Sequence, residues 1–555
     1  MDTVALIIII LVIIAIFTLS GYIQNIKHTQ YVNRVLASRK GKKGGRIYKD
    51  GEYEHISGYY NNHKRDYTVD DITWNDLNLT EVFNDLNYTE SSAGEEYLYY
   101  LLRNPALDPK ELEELEDKIS YFSEQDEDRL ALQIAFHRCG RTGKYSIYDY
   151  MNNLGQLDGL SAMTDIILVI CLIVSVLITV FVSFKWISLT AIMLIALGIT
   201  YFKKKSLIEP YIICFSYVFR ILNGAKVVSD VKCGEVLDKE KQELKELLSE
   251  FRGFRRFSSL VSNNAGGGNP LDILYDYLKI FTHIDIIKFV HMKHELAKHW
   301  SDIDRMLTVM GRIEAAVSIA LYRAYLGSYC VPEFTSGTYS VRNIYHPLLE
   351  EPVANDLTLK GGMILTGSNA SGKSTMLKTI ALNAILAQSF HTVAAEEYKA
   401  DMYRVYTSLA LKDDIFAGES YYMTEIKTLK KIIDKGHEEG NPILVCVDEV
   451  LRGTNTIERI AAGVAILKAF KDVNGIVNAA SHDLELARML SDIYDNHHFD
   501  EIIDNDDISF SYKLKDGIAT TRNAIRLLEM VGYDNMITEE AKELAAVLSR
   551  EMIRV

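Results

Sequence analysis

The segment Gly367-Ser368-Asn369-Ala370-Ser371-Gly372-Lys373-Ser374 places two glycines, a lysine and a hydroxyl at the spacing of a phosphate-cradling loop. Glycines let backbone N–H groups turn onto phosphate oxygens, and the positive end of a following helix adds to the attraction. In such a loop Lys373 reaches the β- and γ-phosphates, and Ser374 offers its hydroxyl to Mg²⁺. Further on, the apolar run 443–447 ends in Asp448 and Glu449. Asp448 is suited to hold Mg²⁺ through its shell, and Glu449 to polarise a water for in-line attack. Another apolar run, 475–480, ends in Ser481-His482, which offers an imidazole to sense the γ-phosphate. The chemistry these residues share is hydrolysis of a nucleoside triphosphate, with ATP and Mg²⁺ as the expected cofactors.

These groups need elements that bring them to one edge. Residues 362–366 read as a short buried strand and 375–388 as a helix with an apolar face, giving the strand, loop and helix that a phosphate loop requires. Runs 443–449 and 475–480 read as further strands of the same sheet, and 340–344 as the first strand of an α/β domain covering 336–555. The rest reads as helical. Pro109 opens a long acidic helix over 110–127, Ser91 and Ser92 offer capping groups before a helix at 95–102, and 239–251 is strongly amphipathic ahead of a glycine-rich loop at 266–270.

At 555 residues, 48% hydrophobic and 24% charged, the chain is globular rather than disordered and long enough for several domains. A net charge of −15 argues against a protein wrapped all over in nucleic acid, although a local basic face stays compatible with it. The six cysteines, Cys139, Cys171, Cys214, Cys233, Cys330 and Cys446, contain no C-x-x-C pair and read as reduced structural thiols.

Three stretches are apolar enough to cross a bilayer: 1–26 as an amino-terminal anchor, then 166–184 and 186–202, separated by Lys185. No basic residue precedes the first stretch and no small-residue cleavage site closes it, which disfavours a signal peptide. The juxtamembrane segment 27–69 opens with eight cations, Lys27 to Lys49, before the first acid, Asp50. The positive-inside rule places that segment and Lys203-Lys204-Lys205 in the cytoplasm, so the chain reads as a multi-pass cell-membrane protein with a cytoplasmic 336–555 domain. The basic run reads as a topology signal touching anionic lipid, with DNA contact as the alternative. For 166–202 the alternative is a buried soluble hairpin. The helical stretches 70–165 and 203–335 flank the hairpin as a core and a lever.

Gly418-Glu419-Ser420-Tyr421-Tyr422-Met423-Thr424-Glu425-Ile426 and Asp448-Glu449-Val450-Leu451-Arg452-Gly453-Thr454-Asn455-Thr456 resemble the signature and D-loop segments of MutS-family ATPases. So do Tyr345-His346-Pro347 before Asn355-Asp356, the Ala480-Ser481-His482 switch, and Phe510-Ser511-Tyr512 through Gly517. The resemblance is dense over 342–545 and fainter at 86–105 and 311–329. It implies an ABC-like ATPase acting as a homodimer, with double-stranded DNA as a partner; the three apolar spans, read from length and charge, add membrane lipid. By the resemblance, Gly367, Asn369, Gly372, Lys373, Ser374 and Thr375 hold phosphates, Ser420 reaches the γ-phosphate of the other subunit, Ser374 and Asp448 hold Mg²⁺, and Glu449, His482 and Lys373 are catalytic. Asn455 and Thr456 sit at the dimer seam. Three departures stand beside it: no mismatch-recognition domain fits before residue 70, membrane spans interrupt the lever, and Val353 stands where an aromatic is usual. Phe122-Ser123-Glu124 copies a mismatch wedge only superficially. An ATP-driven membrane machine that does not act on DNA is the alternative function.

Overall fold

The computed structural model describes residues 19–552 other than 21–22, 25, 47, 49–54, 144, 156–158, 256–276, 369–370, 410–420, 453, 505–506, 520–524, 526–527 and 530–531. Most of the first expected span, and Asn369, Ser420 and Gly453, therefore lie outside the described residues. The chain forms two compact units: Met1–Lys64 with Asp85–Tyr100 and Glu116–Tyr325, and Arg65–Asn84 with Leu101–Leu115 and Leu326–Val555. The expected helical core at 70–165 is thus divided between them.

The second unit is the α/β domain. Its strands are β1 (Glu333–Phe334), β2 (Tyr339–Ile344), β3 (Asn355–Leu359), β4 (Gly362–Thr366), β5 (Glu397–Ala400), β6 (Arg404–Ser408), β7 (Ile443–Asp448), β8 (Gly475–Ser481), β9 (Asp495–Asp504) and β10 (Asp507–Asp516). One sheet has the order β1-β5-β2-β3, the other β10-β9-β4-β8-β7-β6. In the larger sheet all neighbours are parallel except the β9–β10 hairpin. Its central strands are buried along nearly their whole length, as a parallel sheet covered on both faces requires. The helix Lys373–Phe390 follows the phosphate loop, with most of its side chains buried.

An edge strand exposes unpaired N–H and C=O groups and needs cover. Here residues far upstream cover β6. The Tyr67 hydroxyl accepts from the Val405 N–H (2.7 Å) and donates to the Val405 carbonyl (3.1 Å). Thr73 Oγ1 accepts from the Thr407 N–H (3.2 Å), and Asp76 Oδ2 from the Leu409 N–H (2.8 Å). Residues 65–84 join the α/β unit because they finish its sheet.

The first unit is helical. Trp300–Leu326 is its buried centre, with an unbroken run of buried side chains from Val309 to Arg323 that only Arg312 interrupts. The helix beginning at Ser92 crosses it so closely that a Cβ on Gly311 would lie 2.5 Å from Tyr97 Cβ, and one on Gly94 would overlap Glu314. Phe122, from the wedge-like triplet, is fully buried and belongs to this core. The expected acidic helix ends at Glu124, and a second helix starts at Asp126.

The two apolar stretches form a hairpin of Ala162–Phe181 and Ile187–Asp230, joined through a short 3₁₀ turn at Phe184–Trp186. Thr179 and Thr190 hydroxyls meet across it at 2.9 Å. The second helix continues past the apolar stretch: it runs unbroken for 44 residues, carrying Lys203 to Lys205 in mid-helix. Two of those lysines are ion-paired, Lys204 with the buried Asp165 (2.6 Å) and Lys205 with Asp285 (2.8 Å). The buried His283 joins the same foot, its Nδ1 2.8 Å from Asp165 Oδ1 and its Nε2 3.1 Å from the Leu197 carbonyl.

The basic run at 39–46 is likewise engaged. Arg39 pairs with Glu90, Lys40 with Asp126, Lys43 with Asp85 and Arg46 with Glu95. These contacts knit 39–46 onto the helical unit through its carboxylates.

Among the buried glutamates of this unit are Glu314 and Glu96. Glu314 accepts from the Ser91 hydroxyl and from the Glu90 and Ser91 N–H groups, and burial pushes its carboxyl up to about 7; burial also lifts Glu96 to about 8. A carboxyl raised by folding adds nothing to stability below its unfolded value, here 4.5, and costs progressively more as pH climbs to the folded value. Glu314→Gln should therefore gain stability relative to the wild type between pH 4.5 and about 7, by at most about 3 kcal/mol. Urea unfolding of both proteins across that range checks it, and a pH-independent difference contradicts the burial argument.

Candidate nucleotide site

Sheet register assembles the site. Thr366 of β4 is level with Ser481 of β8, and Asp448 of β7 with Ala480. The residues that follow these strand ends, the loop from Gly367, the Glu449 turn and His482, therefore emerge side by side at the carboxyl edge of three adjacent parallel strands, where open α/β sheets bind ligands.

Contacts in the site match that register. Ser374 Oγ donates to Asp448 Oδ2. The other oxygen, Asp448 Oδ1, is buried and has no hydrogen-bond partner among the described residues. A hydroxyl and an orphaned carboxylate oxygen at one point suit Mg²⁺, so Ser374 and Asp448 fit the ion expected of them. Burial raises the Asp448 carboxyl above its ordinary value despite the Ser374 hydrogen bond, and a bound cation would relieve that cost.

The Lys373 ammonium donates to the carbonyls of Gly367 (2.7 Å) and Ser368 (2.6 Å), which curls the loop around it. Gly372 caps the following helix at φ +103°, and a Cβ there would also lie 3.1 Å from the Tyr512 ring. Only glycine meets both conditions without strain.

Glu449 lies one residue past the strand at φ +54°, which turns it out of the sheet. Its two oxygens are held separately, one by His482 Nε2 and the other by Arg452 Nε. Burial alone would raise this carboxyl; the His482 hydrogen bond and charge, with Arg452 and Lys373, override it and hold the group below its ordinary value. Glu449 is thus an ionised carboxylate with fixed orientation. Beyond it, Asp483 takes a bidentate pair from Arg459 (2.9 and 3.0 Å), steadying the turn after His482.

A cleft of about 430 Å³ extends from Lys373, Ser374 and Thr375 to Val353, His346 and Tyr512. Tyr512, at φ +50°, sits in the bulge of the β9–β10 hairpin. Asn355 holds it there, donating to the Tyr512 carbonyl (3.0 Å) and accepting from the Leu514 N–H (2.8 Å). An aromatic ring therefore faces the cleft although Val353 is aliphatic. Burial, then the charge of Lys378, lowers His346 to about 4, so this wall carries no imidazolium at neutral pH.

Gly367, Gly372, Lys373, Ser374, Thr375, Asp448, Glu449 and His482 are brought together, whereas Asn369 and Ser420 lie outside the described residues. Asn455 accepts from the Ile457 N–H as the cap of the helix Thr456–Ala469, a local duty that its place in the motif does not disclose. The sequence reading gave no role to Tyr512, Asn355 or Arg452. All three stand in motif segments, but their pairing across 157 residues in one case and within a strained turn in another is visible only in the fold.

Lys373→Ala should lower affinity for ATP·Mg²⁺ by roughly a hundredfold, the scale of hydrogen bonds lost from a charged group. Calorimetry on the full chain reads this directly, and unchanged affinity would show that the ammonium does not meet the phosphates.

Residues 363–549 match the family model described as MutS domain V. The chain is 29% identical over 275 residues to "DNA mismatch repair protein MutS" of Thermosipho melanesiensis, covering 47% of this chain and 33% of the relative. It is 28% identical over 295 residues to human "MutS protein homolog 4", covering 50% and 31%. With the MutS of Halalkalibacterium halodurans it shares 32% over 220 residues, covering 37% and 25%. The matched region thus spans about a third or less of each relative's length. The matched family domain starts in β4, beneath the phosphate loop, and ends within the helix Asn535–Met552, so the site described above lies inside the part of the chain that is similar to MutS domain V.

Proposed function

We propose that this chain is a membrane-anchored ATPase that binds and hydrolyses ATP·Mg²⁺ at the edge of β4, β8 and β7. The observation that carries it is the meeting of Lys373, the Ser374–Asp448 pair and the oriented Glu449 carboxylate. The cleft takes the base against Tyr512, and the loop N–H groups and Lys373 take the phosphates. Ser374 and Asp448 would hold Mg²⁺, which when bound offsets charge on the phosphate oxygens. Glu449 accepts a hydrogen bond from the attacking water and aligns it with the γ-phosphate, while His482, bonded to the same carboxylate, registers the loss of that phosphate. Two copies complete the site, Ser420 of each closing on the nucleotide of the other.

Glu449→Gln keeps shape but not charge, so hydrolysis should fall by at least roughly a hundredfold while ATP affinity stays within a few-fold. Turnover at the wild-type rate would remove Glu449 from the mechanism.

The substrate reading follows the relatives, two of which are named as DNA mismatch repair proteins. By that reading the dimer embraces duplex DNA near the membrane and ATP opens and closes it. A second reading, an ATP-driven membrane machine without DNA, is favoured by the ion pairing of Arg39, Lys40, Lys43 and Arg46 with acids of the same unit, which occupies much of the basic run. Duplex DNA binding titrated against salt separates the two. A protein that contacts phosphates loses affinity linearly in log–log form with salt, and absence of binding at 50 mM salt supports the second reading.

The membrane reading rests on the hairpin. Only 17% and 11% of its two apolar windows are buried, which suits lipid better than the buried-hairpin alternative. In cells expressing a cysteine-free background, Lys185→Cys should react with an impermeant thiol reagent from outside and Lys245→Cys should not. Labelling at Lys245→Cys alone inverts the topology, and labelling at neither revives the buried hairpin.

A further inference from the structure

The turn that carries Glu449 is backbone-strained twice, at Glu449 (φ +54°) and at Leu451 (φ +60°), and neither residue is glycine. Left-handed backbone at a β-carbon costs on the order of 1 kcal/mol per residue, so something must hold it. What holds it is Glu425, a residue 2% exposed on the helix Tyr421–Gly436. Glu425 Oε1 accepts from the Leu451 N–H at 2.6 Å, and the Arg452 N–H bonds to the same carboxylate. Its second oxygen, Oε2, is buried without a hydrogen-bond partner among the described residues. A half-satisfied buried carboxylate is a costly group to keep for packing alone, because burial disfavours its charge and an apolar side chain would fill the space without that cost.

We propose that Glu425 is a positioning residue for hydrolysis. It clamps the 449–452 turn and so fixes the angle at which Glu449 meets the water and Arg452 meets Glu449 Oε2. The clamp joins two parts that the sequence keeps apart. Glu425 stands five residues after Ser420, at the start of the helix leaving the signature segment, and its hydrogen bonds end on the turn that carries the catalytic carboxylate. Any displacement of that helix therefore reorients Glu449 directly, through hydrogen bonds rather than through the nucleotide. This rests on Glu449 being the water-orienting group, and the test distinguishes failure of that reading from failure of the clamp.

The full chain is compared as wild type, Glu425→Ala, Glu425→Gln, Glu449→Gln and the Glu425→Ala/Glu449→Gln double variant, with ATP affinity, KM, kcat and thermal midpoint measured for each. Glu425→Ala should lower kcat by roughly ten- to a hundredfold, the scale of a small misplacement of a catalytic group, with KM and ATP affinity unchanged. Glu425→Gln keeps a carbonyl acceptor for the Leu451 N–H and should recover most of kcat. The double variant should be no slower than Glu449→Gln alone, because the clamp acts only through that carboxylate. A wild-type kcat in Glu425→Ala beside an inactive Glu449→Gln overturns the proposal. So does a parallel fall of kcat, ATP affinity and thermal midpoint in both Glu425 variants, which makes the residue a structural one. Wild-type turnover in Glu449→Gln instead fails the underlying reading, and the proposal with it.

Discussion

The site depends on the register of three parallel strands. Pairing Thr366 with Ser481 and Asp448 with Ala480 decides that the phosphate loop, the two acids and the imidazole leave the sheet at one level. A slip by one residue would turn every side chain to the opposite face and move the strand ends apart by about 3.3 Å, enough to separate Ser374 from Asp448. The buried apolar runs Met363–Ile364–Leu365 and Leu444–Val445–Cys446–Val447 guard against that slip, because a shifted strand would carry polar neighbours into the core. The chemistry is fixed by packing well before any ligand arrives.

Around that register the acids are arranged with opposite tendencies. Asp448 is buried with an unanswered oxygen and pushed up, whereas Glu449, one residue later, is held down by an imidazole and two cations. Adjacent residues acquire different electrostatics because the backbone reverses between them at φ +54°. One is left wanting a cation, and the other is kept ionised and aimed. In the proposed function, Asp448 as cation ligand and Glu449 as water-orienting base divide the two tasks across a single peptide bond, so that both serve one phosphate.

Much of this was legible in the sequence. The P-loop spacing, the apolar runs closing in Asp448-Glu449 and Ser481-His482, and the helix after Lys373 all carry local signals, and each element lies within a few residues of where periodicity and turn chemistry put it. What escaped was non-local. Nothing in the run 65–84 announces that Tyr67, Thr73 and Asp76 finish the edge of β6, since a hydroxyl or carboxylate bonded to a distant backbone leaves no periodic trace. Charge placement was silent about helix continuity: a helix tolerates three lysines in its middle when two of them, Lys204 and Lys205, find Asp165 and Asp285. The Asn355–Tyr512 pairing was hidden because its members are far apart in sequence.

The continuity of Ile187–Asp230 bears on mechanics. Forty-four residues at 1.5 Å each make a strut of roughly 66 Å, with its first half apolar and exposed and its later part packed into the helical unit. A hinge needs a loop or an element end to absorb backbone rotation, and none interrupts this strut apart from the missing N–H at Pro210. The hairpin and the helices around it are therefore geared together: a tilt imposed at the Trp186 end is delivered at the Asp230 end as a lateral swing, with its pivot at the Asp165–His283–Lys204 foot.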